Sequence, residues 1–140
     1  MSILSSTNSG SSHWINYIKK WCDEHDIHYY KLVPTNESIP LMINVNGDVI
    51  LCGYEDMQLP DFIIFNEIIG GNFIASYSRF TTMKGFPKKV GKNFDISFSS
   101  ISSLEHAPKL INKDFVACGL SFNEQQIREK SKVTYNVYCE

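Results

Sequence analysis

A close spacing of potential metal ligands, Cys22-x-x-His25-x-x-His28, lies in the N-terminal part of the chain. A structural zinc site takes four ligands, usually as two spaced pairs, and no fourth ligand accompanies these three residues. His25 also falls near the end of a predicted helix, where the helix dipole favours a positively charged imidazole. We therefore predict no metal site, and we expect no cofactor.

Nucleophilic catalysis would need a cysteine or serine beside a histidine and an acid. Cys118 in a predicted strand and His106 in a preceding loop could approach each other, but such proximity is ordinary in a folded chain. The pair Gly70-Gly71 precedes a strand, whereas a phosphate-binding loop opens a helix. These patterns predict no catalytic residue, and we expect a protein that is not an enzyme.

Positive charge is concentrated in the second half of the chain. Residues 1–69 hold three Lys or Arg against nine Asp or Glu, and residues 70–140 hold ten against six, so the two halves carry −6 and +4. Six lysines recur in neighbouring repeats: Lys84, Lys88, Lys89, Lys92, Lys109 and Lys113. Beside Tyr77, Phe80 and Phe98 they could bind single-stranded nucleic acid. The charge balance is far from strongly basic, so we keep nucleic-acid binding as the alternative function.

A repeat of 21 residues positions these side chains. Its clearest units are Asn72–Ser76, Asn93–Ser97 and Asp114–Cys118. A period of about 20 to 29 residues with one short strand per unit is typical of a solenoid. One residue of each unit is predicted to stack in a buried column: Val49, Phe73, Phe94, Phe115 and Val137. A second buried column is predicted beside it: Leu51, Ala75, Ile96, Ala117 and Cys139.

The segments before the repeat suggest a cover for its open end. Residues 1–12 are rich in Ser, Thr, Asn and Gly and are interpreted as a loose lead-in. Residues 13–26 have the periodicity of an amphipathic helix capped by Ser11 or Ser12, which we expect to cap the solenoid. Residues 27–48 are interpreted as a degenerate first coil, with strands at Ile27–Leu32 and Ile39–Val45.

The last unit departs from the others after its strand. Ser121-Phe122-Asn123-Glu124 has the spacing of a capping box, which predicts a short helix from Phe122 to Lys132. A closing strand is predicted at Tyr135–Cys139. The whole of residues 1–140 is thus predicted to be a single domain, with solenoid coils over residues 27–140.

The outward side of the predicted strands is less polar than a solvent-facing sheet surface usually is. Contiguous exposed apolar surface commonly marks a site of partner binding or self-association. We predict a partner-binding surface there, formed by Ile50, Ile74, Ser76, Tyr77, Asp95, Ser97, Phe98, Val116 and Tyr138. Permanent cover by the N-terminal segment or by a second subunit is the alternative.

The environment of the protein is predicted from its cysteines and its hydropathy. The four cysteines form no CxxC pair, and Cys52 and Cys118 fall too many coils apart for a disulfide, so we expect free thiols and a reducing cytosol. No apolar run reaches the roughly 18 residues of a membrane span. The start of the chain, Met1-Ser2-Ile3-Leu4, lacks the features of a signal peptide.

Residues 82–94 and 103–109, Thr-Met-Lys-Gly-Phe-Pro-Lys-Lys-Val-Gly-Lys-Asn-Phe and Ser-Leu-Glu-His-Ala-Pro-Lys, resemble short leucine-rich-repeat-like units of tailed bacteriophages. The resemblance covers about residues 66–118. Two departures are that residues 110–113 lack the family's glycine pair and that Tyr77 and Phe98 replace its outward asparagine ladder. The resemblance implies an accessory interaction protein and supplies no catalytic residue.

Taken together, the patterns predict an α/β repeat: a leucine-rich-repeat-like solenoid with one short parallel strand per coil of about 21 residues and an N-terminal capping helix. The predicted function is a non-enzymatic module that binds and occludes a host protein in the bacterial cytoplasm, such as a defence or metabolic enzyme. Homo-oligomerisation through exposed strand edges is a further possibility. The alternative function uses the basic segments between Lys84 and Lys113 to bind nucleic acid.

Overall fold

Each coil of the chain contains two strands, most of them only two residues long, and the stacked coils build a short parallel β-solenoid of about four turns with two helices. The computed structural model describes residues 5–35 and 41–140, with side chains from Trp14 onward within those ranges. In chain order the elements are α1 Ser5–Glu24, β1 Tyr30–Pro34, β2 Leu41–Asn46, β3 Val49–Ile50, β4 Phe65–Ile69, β5 Phe73–Ile74, β6 Lys89–Val90, β7 Phe94–Asp95, β8 Leu110–Ile111, β9 Phe115–Val116, α2 Glu124–Lys130, β10 Lys132–Val133 and β11 Val137–Tyr138.

Two sheets run along the stack of coils. Sheet 1 has six strands in the order β1-β2-β4-β6-β8-β10, and sheet 2 has five in the order β3-β5-β7-β9-β11. Except for the antiparallel pair β1 and β2, all strand pairs are parallel. The prediction of one strand per coil is therefore wrong. The second strand lies in the return segment, the part of each coil that leads from one strand of sheet 2 to the next. Val90 and Ile111 in the return segments are buried and pair in register.

The predicted column of anchors is confirmed, except that Val137, in the last strand, is half-buried and not buried. Sheet 2 pairs Val49 with Phe73, Phe73 with Phe94, Phe94 with Phe115, and Phe115 with Val137. The three phenylalanines are fully buried, and the ring centroids are 5.8 Å apart for Phe73 and Phe94 and 5.0 Å for Phe94 and Phe115. Because each ring packs on the rings of the neighbouring coils, the core is continuous along the stack.

A ladder of Asp and Asn side chains joins the coils just before the anchors. In each step the side-chain oxygen of one coil accepts a hydrogen bond from the backbone N–H of the next coil. The distances are 2.8 to 3.0 Å, and the ladder runs through Asp48, Asn72, Asn93, Asp114 and Asn136. These bonds satisfy N–H groups at the turn between the two strands of each coil, where the strand ladders are interrupted.

The N-terminal helix covers the first coil. Trp21 packs against Phe65 and Tyr54, with ring centroids 6.1 and 6.4 Å away, and Trp14 stacks on Phe62 at 5.8 Å. The helix begins at Ser5, so the prediction of a loose lead-in through residue 12 is wrong for residues 5–12, and no cap forms at Ser11 or Ser12.

The segment after the helix differs from a coil. Strand β1 pairs antiparallel with β2, so the interpretation of residues 27–48 as a degenerate coil is wrong. Residues 1–4 and 36–40, which include Ile39 of a predicted strand and part of the predicted lead-in, lie outside the described residues. Within the described ranges, neither helix has the length and apolar character needed to cross a bilayer.

The C-terminal helix closes the other end of the stack. It is shorter than predicted, and its capping box joins Asn123 and Gln126, not Ser121 and Glu124. The Asn123 side chain accepts from the Gln126 N–H at 2.8 Å, and the Gln126 side chain accepts from the Asn123 N–H at 2.9 Å. The shift follows from Phe122, which packs against the core before the helix begins. The one buried residue of the helix, Ile127, covers the last coil.

Candidate functional site

The corner that follows four of the five strands of sheet 2, namely β3, β5, β7 and β9, holds a residue in the left-handed backbone region. These corner residues are Gly53, Tyr77, Phe98 and Gly119, with φ of +72°, +52°, +56° and +78°. Each N–H donates to a carbonyl of the next coil, at 2.9 to 3.1 Å. The four corners are therefore equivalent positions of the repeat, and two of them carry aromatic side chains where the other two carry glycine.

Tyr77 and Phe98 form a stacked aromatic pair on the surface. Their ring centroids are 5.0 Å apart with an interplanar angle of 22°. The side chains are nevertheless 68% and 50% exposed. Phe98 also lies over Gly119, where an added Cβ would approach its ring to 2.6 Å. We call Tyr77 and Phe98 the aromatic corner.

The aromatic corner is held in a strained backbone conformation. A residue with a Cβ loses roughly 1–2 kcal/mol in the left-handed region, and a bulky residue there is an outlier that needs an explanation. The stacking of two exposed rings contributes about 0.5–1.5 kcal/mol. Because that gain does no more than offset the strain, the stability of the fold does not by itself explain why aromatic residues stand at these corners.

Other predicted surface residues flank the aromatic corner. Ile50 and Tyr138 are 52% and 48% exposed, while Ile74, Asp95 and Val116 are half-buried. These five residues pair in register along sheet 2 and form one continuous row.

The prediction that Ser76 and Ser97 face outward is wrong, because both side chains are buried. Each strand of sheet 2 is only two residues long, so the alternation of side chains ends before these serines. The Ser97 hydroxyl accepts from the N–H of Cys118 at 2.9 Å, and the Ser76 hydroxyl lies 3.3 Å from the Cys52 sulfur. Both serine side chains connect neighbouring coils, and they are not part of an exposed contact surface.

An acidic cleft of about 490 Å³ adjoins the first corner. Cys52 and Gly53 line it together with three carboxylate residues, Glu24, Glu55 and Asp56. Glu24 ends helix α1, so the cleft forms where the helix meets the first coil. Sequence analysis missed this cleft, since Glu24 lies 31 positions before Glu55 along the chain. The local signal was the acidic excess of the N-terminal half.

The structure removes one predicted aromatic residue of the nucleic-acid alternative from the surface. Phe80 is fully buried and stacks on Tyr54 with centroids 4.5 Å apart, so it offers no exposed ring. Lys92 and Lys113 follow the strands of sheet 1, and the Lys113 N–H donates to the Lys92 carbonyl at 3.1 Å. Three other lysines of the predicted group, Lys84, Lys88 and Lys109, line a cleft of about 480 Å³. Lys92 and Lys113 are not among its lining residues.

The candidate metal ligands Cys22, His25 and His28 differ in how far they are buried. Cys22 is fully buried, and burial, aided by the Asp23 carboxylate, raises its thiol pKa to about 11. His25 packs its ring 4.2 Å from that of Trp21, and His28 is exposed. All four cysteines are free thiols. Within residues 5–35 and 41–140, no three His, Cys, Asp or Glu side chains converge as a metal site.

The aromatic corner is the strongest candidate for a contact surface, because it combines exposure, rigidity and backbone strain. Sequence analysis identified both residues as surface contacts, but the left-handed backbone is visible only in the structure. Compared with known proteins, the chain matches no protein-family model, no curated protein and no solved structure.

Proposed function

We propose that this chain is a protein-interaction module that binds a partner protein through the aromatic corner and occludes the partner's surface. The single observation that carries the proposal is the stacked, exposed and strained pair Tyr77 and Phe98. The resemblance to leucine-rich-repeat-like units motivates the finer proposal that the chain is a non-enzymatic phage protein and that the partner is a host protein in the bacterial cytoplasm.

Two exposed rings that are already ordered suit a binding contact. Aromatic side chains dominate the binding energy of many interfaces, because they bury a large area and lose little conformational entropy. Stacking and the corner backbone restrict Tyr77 and Phe98 before any partner arrives. Residues held in unfavourable backbone conformations cluster at functional sites for this reason.

Charge on the neighbouring surface indicates the chemistry of the partner. The acidic cleft begins at Gly53, which occupies the corner position of the coil next to Tyr77. A partner whose apolar patch is bordered by Lys or Arg would cover the rings and place its positive charge beside Glu55 and Asp56. Such pairing speeds association and selects among partners more than it raises affinity.

The test uses Tyr77→Gly combined with Phe98→Gly, since glycine already occupies the equivalent corners of the flanking coils. Relief of strain offsets the lost stacking, so the free energy of unfolding should change by less than about 1 kcal/mol. Loss of two central rings should weaken partner binding by about 2 kcal/mol or more, roughly thirtyfold. Quantitative affinity capture from bacterial lysate, followed by binding measurements on the captured protein, gives the comparison.

Tyr29→Ala is the matched control, because Tyr29 is an exposed aromatic residue distant in sequence from the corners. It should retain the partner that the double glycine variant loses. Ile74→Asp combined with Val116→Asp should also weaken binding, since both residues lie in the adjoining row. Equal partner recovery by wild type and a folded double glycine variant would show that the aromatic corner is not the contact.

A further inference from the structure

A second cleft, of about 480 Å³, lies on the side of the coils that carries the return segments. Ile64, Phe86, Leu104 and Ala107 give it an apolar floor. Four lysines line it, one of them from helix α2: Lys84, Lys88, Lys109 and Lys130. We call this the basic cleft. Its apolar floor and charged lining come from four successive units of the chain.

The positive charge of the basic cleft is largely uncompensated. Glu105 is its one acidic lining residue, so four lysines against one glutamate leave three positive charges when His106 is neutral. Lys84 lies 3.8 Å from Asp61, with both side chains exposed. Among the described residues, Lys109 and Lys130 have no ion pair, and the Lys88 ammonium contacts only the sulfur of Met42, at 3.7 Å.

One residue that lines the basic cleft, His106, has a left-handed backbone conformation. His106 has a φ of +69° at the position where the preceding coil has Gly85, with a φ of +84°. Glycine is required in that preceding coil, because a Cβ at Gly85 would lie 2.7 Å from the Ile63 carbonyl oxygen. At His106 the same turn instead adds an imidazole, which can donate a hydrogen bond, to the lining of the cleft.

We propose that the basic cleft binds an organic anion of small-molecule size, in which a phosphate or carboxylate is joined to an apolar ring or acyl group. The lysine ammonium groups would pair with the anionic group, and the floor would take the apolar body. Its volume falls within the range of small-molecule sites. Lysine suits a phosphate as a point charge and needs no fixed bidentate geometry.

A nucleic-acid strand fits the basic cleft less well. A strand needs a continuous basic groove that follows its backbone, with exposed rings along it. Lys92 and Lys113 do not extend the lining of the cleft, and Phe65, one of its two phenylalanines, is fully buried. The cleft is therefore a bounded site that holds four of the lysines.

The test is calorimetric titration with 1-naphthyl phosphate, inorganic phosphate and 1-naphthol, together with NMR observation of the His106 ring. Naphthyl phosphate should bind at least about tenfold more tightly than either of the other two and should shift the His106 resonances. Lys109→Glu combined with Lys130→Glu should weaken this binding by about tenfold or more. Lys92→Glu combined with Lys113→Glu, the same change of charge outside the cleft, should alter it less than about twofold.

Three results would overturn the proposal. Equal binding of inorganic and naphthyl phosphate would show that the apolar floor takes no part. Equal weakening by the two pairs of lysine changes, in variants with unchanged circular dichroism, would show a general charge effect. Tighter binding of single-stranded oligothymidylate that is lost with Lys92 and Lys113 would establish a nucleic-acid surface in place of the cleft.

Discussion

Single residues at equivalent places in the repeat show where the chain departs from what its fold requires. At the sheet 2 corners the repeat tolerates glycine, as at Gly53 and Gly119, yet Tyr77 and Phe98 adopt the same backbone. The return segments show the same substitution, with His106 in the place of Gly85. Tyr77 and Phe98 thereby place aromatic rings at the sheet 2 corners, and His106 places an imidazole in the lining of the basic cleft. The proposed contact surface includes the first two residues, and the proposed anion site includes the third.

Cys22 provides a prediction at the residue scale. Burial raises its thiol pKa from 9.0 to about 11, so the folded state favours the protonated thiol. The associated stability is complete below pH 9 and is lost as the pH rises towards about 11, by roughly 3 kcal/mol in total. Urea unfolding followed by tryptophan fluorescence should show this decline between about pH 9 and about pH 11.

Cys22→Ala should show a smaller alkaline decline than wild type, whatever its stability at neutral pH. Some decline should remain, because burial and the Asp23 carboxylate, which this variant keeps, also raise the pKa of the Tyr30 hydroxyl. Cys52→Ala, a change at an exposed cysteine, is the control and should follow wild type. Parallel declines in wild type and Cys22→Ala would contradict the assignment.

At the scale of elements, strands of two residues do not hold the coils together by backbone pairing alone. The Asp and Asn ladder adds one side-chain bond per step at the turn between the sheets. Its members were visible in the sequence as the polar residue before each anchor, but the direction of the bonds was not. Sequence analysis instead placed the departure from an asparagine ladder at Tyr77 and Phe98, which belong to a different corner.

Asn93→Ala tests the ladder, because it removes the acceptor of the Asp114 N–H and leaves that partly buried donor without its partner. The free energy of unfolding should fall by about 1–2 kcal/mol, measured by urea denaturation. Asp114→Asn is the matched change, since the amide oxygen can still accept from the Asn136 N–H. A loss as large in Asp114→Asn as in Asn93→Ala would mean that the ladder bonds are not responsible.

At the scale of the whole molecule, a solenoid must close two open ends. Helix α1 closes the first with aromatic packing. At the last coil, Arg128 donates to the carbonyls of Val133 and Tyr135, at 2.9 and 2.7 Å, and pairs with Glu124 at 2.8 Å. These bonds occupy carbonyl groups at the exposed edge of the stack, where a second copy could otherwise pair.

Arg128→Ala should therefore promote self-association, seen as a concentration-dependent rise of the sedimentation coefficient above that of wild type. A decrease in the free energy of unfolding of about 1 kcal/mol should accompany it. Lys130→Ala removes a positive charge from the same helix without a bond to the edge, and it should sediment like wild type. Identical sedimentation of wild type and Arg128→Ala over the same concentrations would exclude this role.

The amino-acid sequence by itself determined the register of the coils, the column Phe73, Phe94 and Phe115, and a helix at each end. A period of 21 residues puts the three anchors at equivalent positions of successive coils, where they are buried against one another. Only the tertiary structure decided the second strand of each coil, the burial of Ser76 and Ser97, and the two clefts. These features depend on where the backbone turns and on which distant residues meet across coils, and residue types repeated along a chain do not carry that information.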